Sequence, residues 1–483
     1  MTRQLIELAR AAGFSSPSCD AKITSVTDDS RQVEPGTLFV AHRGVHADGH
    51  DFLADALARG AAAVAAEHPV PVDVPSWIVP DGRAALAVWA AAFYDHPSRN
   101  LFTFGVTGTN GKTSVCHFIA HLMGEETTAV LGTVANFARG LRALTTPSSP
   151  VVQQFARQAV EQGCRHLVVE ASSIGLEQRR LDEVDFRVGV FTNLTRDHLD
   201  LHGTMAAYGE AKAILFRRLP PDGCAVLNAD DAFSATLRAA CRCPTLTYGV
   251  ESNVDLVAEV RREDRLGIAV EIRWRGDRAD VFLPLHGRHG VSNALAASGG
   301  ALAAGRAFFD VAAALETLPP VLGRWQAYTR DDGIDAVVDF AHTPDGLEQV
   351  LGSLRRLYPS VVVVFGCTGG SDRGKRAEMG EIAGRHANLV VLTTDNPKQE
   401  DPDAIATEIA AGVTRTRAES VRILDRNEAI AVAVARATPG GVVLLAGKGH
   451  ETYQIVRGAF VPHSDVAALE SLGFRPLGPG QVR

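Results

Sequence analysis

The sequence predicts an α/β protein of three successive units, the middle one built on a phosphate-cradling loop and the last one Rossmann-like. Three observations predict it. The stretch GVTGTNGKTSV, Gly105–Val115, follows the apolar run Leu101–Phe104 and opens the helical-looking run SVCHFIAHLMGE. Apolar runs such as HLVVEAS and VGVFTNLT then alternate with helical runs, as parallel strands with crossover helices do. Beyond LGRWQAYTRDDGID come four buried-type strands, DAVVDFA, SVVVVFGC, NLVVLTTD and GVVLLAG, each ending in a polar cluster.

The first unit is expected over residues 1–99. SVTDDSRQVEPGTLFVAHRG gives short strand-like pieces, DFLADALARGAAAVAAE a helix and a small-residue strand, and DHPSRN at Asp95–Asn100 a linker. The second unit is expected over 100–328. In it PSSPVVQQFARQAVEQG reads as a helix with Ser149 as its cap and Pro150 in its first turn. From about Asn253 to Leu285, period-two runs such as VEIRWRG predict an antiparallel addition. VSNALAASGGALAAG predicts a small-residue helix able to pack closely on a sheet. The third unit is expected over 329–483. Its polar clusters HTPDG, TGGSDRGKR, DNPKQEDP and KGHET fall at strand carboxyl ends, where open α/β sheets bind ligands. One such cluster could be turn chemistry alone, but four at one edge point to a site.

Composition narrows the class. The 483 residues carry a net charge of -8, which argues against the basic face that sequence-independent nucleic-acid binding needs. Seven cysteines are scattered, and Cys241 and Cys243 are one residue short of a CxxC pair, so reduced thiols are expected. No run approaches the roughly 18 apolar residues of a membrane span. The first residues, MTRQLIELARAAGF, are helix-like but lack an apolar core and a cleavage site. A cytoplasmic monomer without nucleic-acid or membrane partners is the expectation.

The loop itself specifies chemistry. Its backbone N–H groups and the following helix N-terminus would face a phosphate, Lys112 would add a point charge, and Thr113 a hydroxyl for Mg²⁺. The spacing is not the usual one: the expected first glycine falls on Val106, and glycines stand instead at Gly105 and Gly108. Glu170 closes HLVVE and His198 follows VGVFTNLT, so both end strands of the loop's own sheet. Either could ligate Mg²⁺; since Mg²⁺ prefers oxygen, a histidine would mark a second, softer position, and a lone histidine is more often structural. Lys212, after Tyr208 and Ala211 in TMAAYGEAKAILFRRL, points toward the same edge. As a bare ammonium it would repel Mg²⁺ and Lys112; the plain alternative is a solvated surface lysine.

GTNGKTS, EASSIGLEQRRL, TNLTRDHLDLHGTMAAYGEAKAILF, VVDFAHTPDGLE, DNPKQEDP and AGKGHETYQ together resemble the Mur ligases, and within them the UDP-N-acetylmuramoyl-tripeptide synthetases. DDSRQVEPGTLFVAHRGVHADG extends the resemblance to nearly the whole chain. The resemblance implies a UDP-substrate domain, a central ATPase domain and a C-terminal Rossmann-like domain. It implies ATP-dependent amide ligation: a third amino acid, meso-2,6-diaminopimelate, joined to UDP-N-acetylmuramoyl-L-alanyl-D-glutamate for peptidoglycan synthesis. By this resemblance Gly108, Thr109, Asn110, Gly111, Lys112, Thr113 and Ser114 form the ATP loop, joined by Asn293, Arg324, Asp339 and His342. Lys212 matches the family's carbamylated lysine, whose carbamate, formed from CO₂, helps hold a second Mg²⁺ and removes the charge objection. Thr113, Glu170 and His198 match the other metal positions. Ser30 with Val45, His46 and Ala47 matches the uridine-nucleotide contacts, and Thr145, Thr146, Ser172, Gln178 and Arg180 the muramoyl-peptide contacts. Arg376, Asp395, Asn396, Pro397, Lys398, Gly447 and Glu451 match the pocket of the incoming amino acid.

The chain departs from the family pattern. Lys398 stands where diaminopimelate-type ligases have arginine, giving a cation without the bidentate fork. Gly290 stands where an asparagine helps bind adenine, Leu144 where some members are polar, Trp325 where Met or Phe is common, and Ile174 where some have His. Alternatives at this level are L-lysine or another diamino acid as third residue, and a paralogue in another amide-forming pathway. The folate type is disfavoured by DDSR…ADG. A non-catalytic nucleotide-binding paralogue has only Gly290 and Lys398 in its favour, against an intact Lys112, Glu170, His198 and Lys212.

Overall fold

In the computed structural model, which describes residues 1–44, 47–140, 144–251 and 254–477, three main sheets follow one another along the chain. The first is four-stranded and parallel, in chain order: Ser25–Thr27, Thr37–Ala41, Ala61–Ala66 and Ser76–Ile78. The small residues of AAAVAA make an inner strand of this sheet, with Ala63, Val64, Ala65 and Ala66 buried.

The second sheet has nine strands. Its phosphate-loop strand, Phe102–Thr107, pairs in parallel with Val188–Phe191 on one side and His166–Glu170 on the other. Glycine 108, Glu170 and the chain after Phe191 therefore leave the sheet side by side at one carboxyl edge. The expected antiparallel addition is present as Leu256–Asp264, Gly267–Trp274 and Asp277–Leu283. The small-residue helix is Gly287–Ala303, buried along most of its length, and any side chain at Gly299 would collide with Val226. The helix read from PSSPVVQQFARQAVEQG begins at its expected cap residue, one position earlier than read. Ser148 is the N-cap, without a side-chain hydrogen bond, and Ser149 is already helical, its hydroxyl turned to the Arg179 carbonyl.

The third sheet has seven strands. The four expected strands appear as Asp335–Asp339, Val361–Phe365, Leu389–Leu392 and Val442–Ala446, extended by Glu419–Arg422 in parallel. Gln326–Thr329 and Arg475–Pro476 add antiparallel strands. The boundary expected at 328/329 thus falls inside a strand, because Gln326 to Thr329 already pair with Val338 to Asp335. All seven cysteines are free thiols. Among the described residues no helix is long and apolar enough to cross a membrane.

One buried ion pair fixes the third sheet's site edge. Arg426, first residue of the helix Arg426–Arg436, is bidentate to Asp465 at 2.7 and 2.7 Å and donates to the Ala446 carbonyl at 3.0 Å, with His463 on Asp465 at 2.8 Å. Both charges are fully buried. Burial works against the Asp465 carboxylate, yet Arg426 and His463 hold its pKa far below the usual aspartate range. Asp465→Asn strands the Arg426 charge and should lower stability by about 3–5 kcal/mol, read as a lower denaturant midpoint. Because the folded pKa is depressed, this stabilisation is complete above about pH 4 and fades as pH falls toward the folded pKa. An unchanged midpoint in Asp465→Asn at neutral pH would contradict this account.

Candidate active site

The loop between Thr107 and Lys112 is shaped by two glycines with positive φ, Gly108 at +150° and Gly111 at +86°. A side chain at the first would collide with Thr192, and at the second with Asn293. The 12-residue helix Lys112–Met123 starts directly after them, so its first amides open onto a cavity of about 1250 Å³. Thr109 to Ser114, Glu170, His198, Asn293, Arg324, Asp339 and His342 all line that cavity. The sequence-predicted ATP and metal residues therefore converge on its wall, Gly108 and Lys212 excepted. Lys112 donates to the carbonyls of Gly108 and Thr109, both at 2.8 Å, and burial pulls its pKa down.

Lys212 sits beneath the loop rather than on the surface. It is 1% exposed, donates to the same Gly108 carbonyl at 2.8 Å, and lies 4.0 Å from the Tyr208 ring centre. Burial first, then the neighbouring Lys112 charge, push its pKa well below the usual lysine value and favour the free amine. Glu170 is buried and accepts from the Thr133 amide at 2.8 Å and the Thr133 hydroxyl at 3.2 Å. His198 has φ +55° and stands 3.4 Å from Asp197; burial lowers its pKa against the pull of Asp197. Among the described residues no three His, Cys, Asp or Glu side chains form a ready-made metal group. The donors at this edge are nonetheless of the kind Mg²⁺ takes: the Thr113 hydroxyl and the Glu170 carboxylate, both on the cavity wall.

The third unit closes the cavity. Arg324 donates to the Thr113 hydroxyl at 3.0 Å and lies 4.6 Å from the Phe340 ring centre. Asp339 accepts from the Trp325 amide at 2.7 Å, and burial raises its pKa. His342 donates through Nδ1 to the Phe340 carbonyl at 2.7 Å; burial, then Lys375, push its pKa down to about 4. Two features escape the sequence reading. Trp325 stacks on His286 at 4.9 Å and sits 6.2 Å from His289, an aromatic wall beside Gly290. Asn110 donates to Asp345 at 2.7 Å and accepts from Thr343 at 3.1 Å, tying the phosphate loop to the start of the helix Pro344–Leu357. The cluster HTPDG carried this signal, but only as a strand-end cluster.

On the far side of Glu170 the predicted peptide contacts form one group. Thr146 donates to the Glu170 carbonyl at 2.6 Å and shares a 2.9 Å hydrogen bond with Ser172; Arg180 donates to the Thr146 carbonyl at 2.8 Å and to Gln178 at 2.5 Å. Thr145 meets Thr133 at 3.1 Å. The adjacent Arg179 pairs with Asp81 of the first unit at 2.8 Å. Ser30 is buried at the start of the short helix Ser30–Gln32. Ala47 accepts from the Gly44 amide at 2.9 Å, while Val45 and His46 lie outside the described residues.

The expected amino-acid pocket is assembled in part. Asn396 donates to Glu451 at 3.0 Å, and the buried Lys448 donates to Asn396 at 2.9 Å and to Glu451 at 2.5 Å, with Asp395 3.5 Å away. Lys448 was not among the expected residues, although it stands in KGHET. Gly447 has φ +102° at the turn facing Asp395. Pro397 is buried, and Lys398, at φ +52°, is held through its backbone by Ile455 and Arg457. Among the described residues no carboxylate pairs with the Lys398 ammonium. Arg376 departs from its expected role. It is 1% exposed and held by Glu400 at 2.9 and 3.0 Å and by Glu408 at 2.9 Å, so its charge is already spent on two carboxylates. Two carboxylates around one guanidinium make it a tie between Glu400 and Glu408 in this structure.

Comparison with known proteins covers most of the chain. Residues 22–97 match the Mur ligase family catalytic domain, residues 106–301 the Mur ligase middle domain, and residues 323–449 the Mur ligase glutamate ligase domain. The chain is 42% identical, over 93% of its length and 94% of the relative's, to the UDP-N-acetylmuramoyl-L-alanyl-D-glutamate–2,6-diaminopimelate ligase of Geobacillus kaustophilus. A solved structure of a ligase of that name is 34% identical, with a TM-score of 0.68, covering 98% of both chains. The MurF structure from Acinetobacter baumannii shares the fold at 20% identity, with a TM-score of 0.70 over 98% of this chain and 99% of that one.

Proposed function

The chain belongs to the Mur ligase family, and we propose that it joins 2,6-diaminopimelate to UDP-N-acetylmuramoyl-L-alanyl-D-glutamate at the expense of ATP. The observation that carries this reading is the cavity in which the phosphate loop of the second sheet faces the strand ends of the third. A carboxylate oxygen of the UDP-dipeptide attacks the γ-phosphorus and the bond to ADP breaks. The amine of the incoming amino acid then attacks the acyl carbon, the bond to phosphate breaks, and the amine proton leaves to solvent. Lys112 and the loop amides hold negative charge on the transferring group, and the Arg324 guanidinium lies beside them on Thr113.

Mg²⁺ bound by Thr113, Glu170, His198 and a carbamylated Lys212 would supply further charge neutralisation on the phosphates. The chain's own part is to keep Lys212 a buried free amine, the form that adds CO₂ and releases a proton to become a carbamate. We assign the UDP moiety to residues 1–99, ATP to 100–328 and the amino acid to 329–483. The distal carboxylate of the diacid is assigned to Lys398, now without help from Arg376, and the distal ammonium to Glu451 and Asp395.

A panel of amino acids tests the reading. Phosphate release should require both the UDP-dipeptide and an amino acid, with meso-diaminopimelate preferred; Lys398→Ala should raise its KM about tenfold or more, and Lys398→Arg should lower it. Preference for L-lysine or ornithine would overturn the substrate assignment and leave the ligase intact.

A further inference from the structure

Two strand-end loops from different sheets meet at the border of the nucleotide cavity, where Asp197 and His342 still line its wall. Arg196 and Asp197 directly precede His198 on the loop after Val188–Phe191. Asp372, Gly374 and Lys375 lie on the loop after Val361–Phe365 and lead into the helix Lys375–His386. Arg196 is bidentate to Asp372, at 3.0 and 3.2 Å, and the same Asp372 oxygen accepts from the Gly374 amide at 2.9 Å. The guanidinium occupies the space a side chain at Gly374 would need. One residue on, Asp197 and Lys375 pair at 3.3 Å with side chains 7% and 5% exposed, and His342 approaches Asp197 at 4.0 Å.

We propose that Arg196–Asp372, seated on Gly374 and backed by Asp197–Lys375, is the clamp that sets the register between the two sheets' site edges, and that it positions the incoming amine against the acyl phosphate. This rests on the ligase reading above. The plain alternative is a surface ion pair of little consequence, which Arg196 alone, 41% exposed, would suggest. Three things argue otherwise. Asp372 is 9% exposed, the second pair is buried, and the glycine is cut to the shape of the arginine. The two half-reactions depend on this seam differently. The nucleotide cavity has cross-seam contacts of its own, Arg324 on Thr113 and Asn110 on Asp345, which involve neither Arg196 nor Asp372, whereas amine attack needs the third sheet's strand ends held to within about an ångström, a displacement of which costs about 10²-fold.

The test separates the half-reactions. Hydroxylamine traps the acyl phosphate as a hydroxamate without any help from the third sheet's amino-acid site. Asp372→Arg and Arg196→Glu should each lower ligation about 10²-fold while hydroxamate formation stays within about threefold, and the double exchange should recover at least about tenfold. Gly374→Ala, which keeps both charges, should lower ligation in the same selective way. Small-angle scattering of the ligand-free protein should show a more extended particle for Asp372→Arg than for the unmodified chain. Parallel loss of hydroxamate and ligation, no recovery in the exchange, or unchanged scattering would each overturn the clamp. An unmodified chain that fails to ligate at all would overturn the ligase reading instead, and the scattering comparison would still judge the clamp.

Discussion

Lys112→Ala should reduce acyl-phosphate formation about 10³-fold, because it removes the cation placed where negative charge develops on the transferring phosphoryl group. The side chain now spans the loop it belongs to, bonded to the carbonyls of Gly108 and Thr109. Those bonds hold an ammonium on the cavity wall, and among the described residues no carboxylate pairs with it directly; Glu170 and Asp197 act on it only from a distance. Burial already weakens the charged form, so a phosphate that replaces the two carbonyls gains an underscreened cation. The helix start and the glycine φ angles do not depend on this side chain, so the fold should survive. Hydroxylamine trapping reads the loss, and calorimetric binding of the UDP-dipeptide should be unchanged, since its predicted contacts cluster around Thr146 and Arg180. Weakened UDP-dipeptide binding in this variant would contradict the division of labour between the units.

How much of this was legible in the sequence follows from what each signal depends on. The phosphate loop was legible because its demands are local: glycines at positive φ, a lysine and a hydroxyl at the first helical turn. The parallel sheets were legible because buried strands must be apolar on both faces, as VVVVF and VVLLA are. The environment of Lys212 was half legible, since helical spacing aims the side chain but cannot report the Gly108 carbonyl more than a hundred residues away that receives it. The partners of Arg376 were hidden for the same reason. A cation beside GGSDRG looks available until the fold brings Glu400 and Glu408 to it, and those partners lie beyond any local pattern. Asp345, Asp372 and Lys375 were legible only as members of strand-end clusters that point to a site, although each spans the seam between sheets. Contacts across a seam leave no periodicity to read.

Lys212→Ala should lower ligation about 10²–10³-fold, and the loss should follow the carbamate rather than the fold. The position is unusual for an unmodified lysine. The amine is fully buried, shares the Gly108 carbonyl with Lys112, and faces an aromatic ring instead of a carboxylate. A permanent ammonium there would stand beside a second one in a site built for phosphates, which is why both burial and Lys112 press it toward the neutral form. A neutral amine is the nucleophile that CO₂ requires, and the product replaces an unwelcome cation with an anion. That anion would add oxygen donors beside Glu170 and His198, which among the described residues belong to no group of three metal ligands. Protein equilibrated with ¹³C-bicarbonate should show one carbamate carbonyl signal by NMR that Lys212→Ala lacks, and acetate should restore part of the variant's activity. Near-normal turnover in Lys212→Ala, or the same carbamate signal in both proteins, would remove Lys212 from the mechanism and leave Glu170 and His198 without their third partner.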